Sequence, residues 1–131
     1  MKKKYFIILI IPLLLSCSER NIHNKLIGRW DVVEAVFSTG DILKDPDIII
    51  EFSESSYTVY TEGEENFSLD YKIKKDFVGY YIETFIDGKR KGERIHFSDD
   101  NNLRLEFSDY IGGEFLEVEY YLKRIRENNE Y

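Results

Sequence analysis

The chain has 131 residues, a formal net charge of −7, and 15% aromatic residues against two prolines and a single cysteine. That length suits one domain, the lone Cys17 excludes an intrachain disulfide, and the negative charge argues against a nucleic-acid partner, whose phosphates it would repel. Alanine occurs only at Ala35 while tyrosine occurs 10 times, a balance that favours strands over helices.

The chain opens with Lys2, Lys3 and Lys4, an apolar run of 11 residues from Tyr5 to Leu15, and the small Ser16. A positive segment, a short apolar segment and a small residue before a cleavage point make a secretion signal. The run is too short to cross a hydrocarbon core, which takes about 20 apolar residues. Leu14-Leu15-Ser16-Cys17 resembles the lipobox of bacterial lipoproteins. The resemblance implies that residues 1–16 form a lipoprotein signal peptide that is removed. Cys17 then becomes the mature N-terminus, carrying a thioether diacylglycerol and, in many bacteria, an amide-linked acyl chain such as palmitate. One acyl chain binds a membrane only marginally, at about 0.8 kcal/mol per buried methylene, so two or three are needed to hold. By the same resemblance, Ser18 stands where an aspartate would retain a lipoprotein at the inner membrane, which implies outer-membrane anchorage with the domain facing the periplasm. Loss of residues 1–16 takes three of the 18 basic residues and none of the 25 acidic ones, leaving a net charge of −10. Such a charge admits a basic protein as partner and disfavours adhesion to anionic lipid.

Residues 17–24 carry no periodic apolar pattern and read as the lipidated cysteine and a solvated tether that includes His23. The domain is expected over residues 25–131. Lys25 to Ile27 suits one helical turn before Gly28-Arg29-Trp30, where a first strand begins and runs to about Phe37. Turns at Ser38 to Asp41 and Lys44 to Asp47 lead into strands at Ile48 to Phe52 and Tyr57 to Thr61. After Glu62 to Glu65, Phe67, Leu69, Tyr71 and Ile73 alternate with Ser68, Asp70, Lys72 and Lys74, a period of two with one dry face. Val78 to Ile86 and Arg90 to Phe97 flank Asp87-Gly88, a strong hairpin signal. Ser98 to Asn102 turns the chain into Leu103, Leu105 and Phe107; Asp109 to Gly113 turns it again; and Leu116, Val118, Tyr120 and Leu122 end the series. Short loops leave no room for parallel crossovers. The expected fold is all-β: a small eight-stranded antiparallel meander that hides its edges by closing into a barrel.

Leu26-Ile27-Gly28-Arg29-Trp30 resembles the opening Gly-x-Trp of the lipocalin superfamily, in the style of bacterial lipocalin-like lipoproteins, and the count of β segments agrees. The resemblance implies that Trp30 lies across the closed end of the barrel with an arginine from the last strand packed over it. Arg124 is the candidate, on the parity of Leu116 to Leu122, and Arg126 shares that parity. Stacking of this kind contributes about 0.5 to 2 kcal/mol. The domain is shorter than typical lipocalins, so its barrel is either hollow or filled with side chains.

No nucleophile, base and acid assemble into a catalytic set, and no Gly-rich phosphate loop or His/Cys metal set occurs, so neither catalysis, a cofactor nor a metal is expected. His96 falls on the outward parity between Ile95 and Phe97. Glu34 shares the parity of Trp30, Val32 and Val36 and in a regular strand would face inward to meet a ligand; a bulge in that strand would send it to water instead. Tyr71, Tyr80 and Tyr120 fall on inward parities, where they either line a ligand cavity with hydroxyls at its mouth or pack the core. The acidic stretches Glu62 to Glu65, Asp99-Asp100 and Glu127 to Glu130 are solvated loops or a docking surface for a cationic partner. Two functions follow. One is an envelope lipoprotein whose barrel binds a small apolar ligand. The other is a protein-binding module, such as an inhibitor of a basic envelope hydrolase.

Overall fold

A computed structural model describes residues 19–86, 88–111 and 114–126, with positions 107–111 and 114–116 described by backbone alone. Cys17 and the signal segment, Asp87, and Glu127 to Glu130 lie outside the described residues.

The first element is a helix, α1 (residues 19–26), where a solvated tether was expected. Ile22 and Leu26 are one helical turn apart and share a face. Leu26 is fully buried and Ile22 packs on the same core, so burial holds in place a segment too short for helix propensity alone. The Ile27 amide donates to the His23 carbonyl at 3.1 Å, and Gly28 at φ +133° ends the helix.

Nine strands follow: β1 (Gly28–Phe37), β2 (Ile42–Lys44), β3 (Ile48–Phe52), β4 (Ser56–Thr61), β5 (Glu64–Lys75), β6 (Tyr80–Ile86), β7 (Lys89–Asp99), β8 (Asn102–Ile111) and β9 (Glu114–Arg124). Neighbours from β3 to β9 pair antiparallel in sequence order, β3 returns to β1, and β1 also pairs with β9 from Trp30↔Arg124 to Phe37↔Val118. The sheet therefore closes into an eight-stranded barrel, with β2 as a ninth strand outside the ring. The two-residue β4–β5 connection has Glu62 and Gly63 both at positive φ (+54° and +81°), which matches the twist of a tight hairpin.

Three features depart from the expected pattern. β2 is the additional strand: β3 leaves the edge of β1 beyond Asp31, and Ile42 to Lys44 take that edge over opposite Val36 to Glu34. A bulge in β1 between Val32 and Glu34 flips the parity of everything after it, so that Ale-sized Ala35, not Glu34 or Val36, joins Trp30 and Val32 in the interior. β8 runs through Asp109 to Ile111, which pair with Leu116 to Glu114, so the chain turns later than Asp109.

The two ends of the barrel differ. The lower end carries α1, Gly28, Arg124 and the β3–β4, β5–β6 and β7–β8 turns; the upper end carries β2, the β4–β5 and β6–β7 turns and the β8–β9 connection. Trp30, Phe52, Ile82, Leu103 and Leu122, with Leu26 of α1 beneath them, fill the lower half. At the β5–β6 turn the Asp76 carboxylate accepts from the Val78 and Gly79 amides and binds Arg94 through both oxygens. Phe77 and Val78 stand fully in solvent at its tip.

Candidate functional site in the upper half of the barrel

The plug below the site is built from three residues. Trp30 is completely buried and its indole N–H donates to the Leu26 carbonyl at 2.9 Å. The Arg124 guanidinium lies 4.3 Å from the Trp30 ring centroid, and it donates to the carbonyls of Ile27 (3.0 Å), Asp100 (3.0 Å) and Lys25. Gly28 allows this. A Cβ at position 28 would stand 2.9 Å from Arg124 Nη1, on a backbone conformation that L side chains rarely adopt.

Above the plug the barrel is hollow. A cavity of about 270 Å³ opens between β3, β4, β5, β7, β8 and β9. Its wall is apolar, from Ile48, Ile50, Val59, Leu69 and Leu105, and Asn66 and Phe67 stand at the rim beside the Val59/Tyr60 irregularity in register. Phe67 is 43% exposed although it starts the driest alternation in the sequence, because it sits where the barrel opens.

Charge enters this apolar wall from β7. Ile95 is buried in the core, and the alternation that turns it inward also turns in Glu93, opposite the fully buried Ile82, and Lys91, opposite Thr84. Both Lys91 and Glu93 line the cavity. Tyr57 reaches across from β4, and its hydroxyl donates to Glu93 Oε1 at 3.2 Å. Among the described residues Glu93 Oε2 accepts no hydrogen bond. Burial pushes the Glu93 carboxyl up to about 7, although the Tyr57 hydrogen bond and the Lys91 charge pull it the other way. Burial, and after it the Glu93 charge, also raises the Tyr57 and Tyr120 hydroxyls. The result is a dry pocket with one carboxyl that changes charge near neutral pH.

The residues singled out in the sequence fall in different places. Tyr120 lines the cavity. Tyr71 does not reach the mouth: it is buried at the lower end, donates to the Ser53 carbonyl at 2.6 Å, and stands 3.1 Å from His23 Nε2, whose Nε2–H tautomer donates to it. His23 is thus a half-buried helix residue, not a solvated linker residue. Tyr80 packs against the same lower core, with the Lys75 ammonium 5.4 Å from its ring. Glu34 does not face the interior, because the bulge sends it outward. It pairs with Tyr121 and Lys44 and shares a shallow outer groove with His96 and Arg104. His96 Nε2 stands 3.2 Å from Glu106 on that outer face. Among the described residues no three His, Cys, Asp or Glu side chains are grouped to hold a metal. Sequence reasoning missed Glu93 and Lys91, whose signal was their shared parity with Ile95 and Phe97.

The chain is similar in structure to a lipocalin-like protein from Bacteroides uniformis ATCC 8492, with a TM-score of 0.53 and 12% identity, over 77% of this chain and 99% of that one. It also resembles lobster apocrustacyanin A1, with a TM-score of 0.45 and 11% identity, over 83% of this chain and 66% of that one. No protein-family model matches the chain, and no curated protein matches it in sequence. The fold is lipocalin-like, an eight-stranded antiparallel barrel with one added strand.

Proposed function

We propose that this lipocalin-like protein is a non-catalytic envelope lipoprotein, anchored at the outer membrane through acylated Cys17 and facing the periplasm, whose barrel binds a small, largely apolar molecule. One observation carries the binding reading: side chains fill the lower half of the barrel, while the upper half keeps a hollow of about 270 Å³ with an aliphatic wall. Burying a ligand's apolar surface there contributes about 25 cal/mol per Å² removed from water. The anchor reading rests on the lipobox resemblance at Leu14 to Cys17.

The test extracts the native protein from membranes. Mass spectrometry is expected to find Cys17 as the N-terminus with a thioether diacylglycerol, and a small hydrophobic molecule released on denaturation. An unmodified Cys17 sinks the anchor, and a barrel that neither yields a ligand nor takes up an apolar dye such as N-phenyl-1-naphthylamine sinks the binding.

A second reading has its own observation. On the outer face Tyr81, Arg94, Glu106 and Glu119 form one cross-strand row over β6 to β9, and with Glu117 they line an open groove of about 490 Å³. A basic protein docking there would form a complex that weakens steeply with salt, and pull-down at two ionic strengths separates this reading from the first.

A further inference from the structure

The hollow end is not uniformly greasy, and its one ionisable acid selects among ligands. Resting on the reading of the barrel as a ligand pocket, we infer that its ligand is an apolar molecule ending in a hydrogen-bond donor, an amine above all, which Glu93 receives, and that free carboxylates such as fatty acids are rejected.

The geometry has three parts. Glu93 lies on the inner face of β7 and lines the cavity together with Ile50, Val59, Leu69 and Leu105, so a molecule lying along those side chains brings one of its ends to the carboxyl. Tyr57 holds the carboxyl from the far wall by donating to Oε1, which fixes the side chain and leaves Oε2 as an acceptor toward the hollow. A buried acceptor of this kind gains from a donor and loses from a second acceptor. An ammonium gains most, because a charge-assisted bond in a dry site is roughly twice as strong as a neutral one. A second carboxylate beside Glu93 would place two like charges in one desolvated pocket, where only one can stay ionised.

Three titratable groups face Glu93 from the elements around it among the described residues: Tyr57 from β4, Lys91 from its own strand, and Tyr120 from β9. Both tyrosines are held above their usual range and stay neutral up to alkaline pH, and Lys91 contributes positive charge that lowers the carboxyl. Glu93 itself titrates near 7, so amines and carboxylates should show opposite pH slopes. An amine needs the ionised carboxyl and gains affinity as pH rises. A carboxylate needs the protonated one, which can donate to it, and loses affinity as pH rises.

The experiment titrates the full chain in a mild detergent with three probes of one shape: cyclohexylmethylamine, cyclohexylmethanol and cyclohexanecarboxylate, at pH 6 and pH 8, by calorimetry. At pH 8 the amine is expected to bind at least tenfold tighter than the carboxylate. Its affinity should rise about tenfold from pH 6 to pH 8, following the ionised fraction of a group titrating near 7, while that of the carboxylate falls. In Glu93→Gln the amine preference and both slopes should vanish while the alcohol binds as before, with circular dichroism confirming the folded sheet. Equal binding of all three probes, or an amine preference that survives in Glu93→Gln, overturns the assignment to Glu93 and leaves the barrel a ligand pocket. If no probe binds and the apolar dye is also excluded, both fall together.

Discussion

The lower and upper halves of the barrel share the same strands and the same alternation but do opposite things with them. In the lower half every inward position is spent on contact: Trp30 is capped by Arg124, Phe52 meets Tyr57 and Tyr71 ring to ring, and α1 closes the floor with Leu26. In the upper half the inward positions are smaller or polar, with Ala35, Val59, Lys91 and Glu93 where large hydrophobes would have met across the axis. The difference teaches that closure is set by backbone pairing, while hollowness is set by which side chains occupy the inner face.

Truncating the plug should have the largest effect. Trp30→Ala removes the largest fully buried side chain of the lower half and is expected to cost about 3 to 5 kcal/mol in urea unfolding, whereas an equally inward residue of the hollow should cost far less. Next comes the acid. The folded protein raises Glu93 from 4.5 to about 7, so between those values the native state binds more protons than the unfolded chain and stability falls as pH rises. The loss is complete above about 7 and amounts to about 3 kcal/mol. Glu93→Gln should recover roughly 2 to 3 kcal/mol at pH 8 and almost nothing at pH 4, read from paired unfolding curves; a constant difference between the two pH values would mean that the carboxyl is not buried as described. Gly28→Ala tests the plug from its backbone side. Because the site combines a left-handed φ with a 2.9 Å approach to Arg124, it should lose about 1 to 2 kcal/mol, with a blue or red shift of Trp30 fluorescence as the guanidinium moves. Smallest should be Val59→Ala, which enlarges a space that is already open and is expected to cost about 1 kcal/mol or less in thermal unfolding.

Much of the frame was legible in sequence, because period two survives wherever one face is dry. Phe67 to Ile73 and Leu116 to Leu122 place their strands by alternation alone. Gly28 and Trp30 lie where the plug is built because a sharp helix-to-strand exit next to a large ring needs those residue types. The bulge at Val33 leaves no local signature: Val32 and Val33 are both good strand residues, and only the pairing with β9, 85 or more positions away, shows which one is extra. β2 has three residues, too few for any periodicity, and its strand character comes from the edge that β3 vacates. α1 likewise owes its helix to the barrel end that buries Ile22 and Leu26. Glu93 differs from all of these. Its inward parity could be read directly from Ile95, but a charged residue in an amphipathic strand is assigned to water by default, and that default hid the one acid on the inner wall.

The helix that closes the floor also decides which way the vessel hangs. The described chain begins at residue 19, two positions after Cys17, and enters the domain through α1 at the plugged end, where the bare tip of Phe77 and Val78 also projects. A molecule fastened to a bilayer by Cys17 therefore rests on its stopper and holds its opening toward the aqueous compartment. Cargo must arrive and depart by way of water, so the molecules it serves are those soluble enough to make that crossing one at a time.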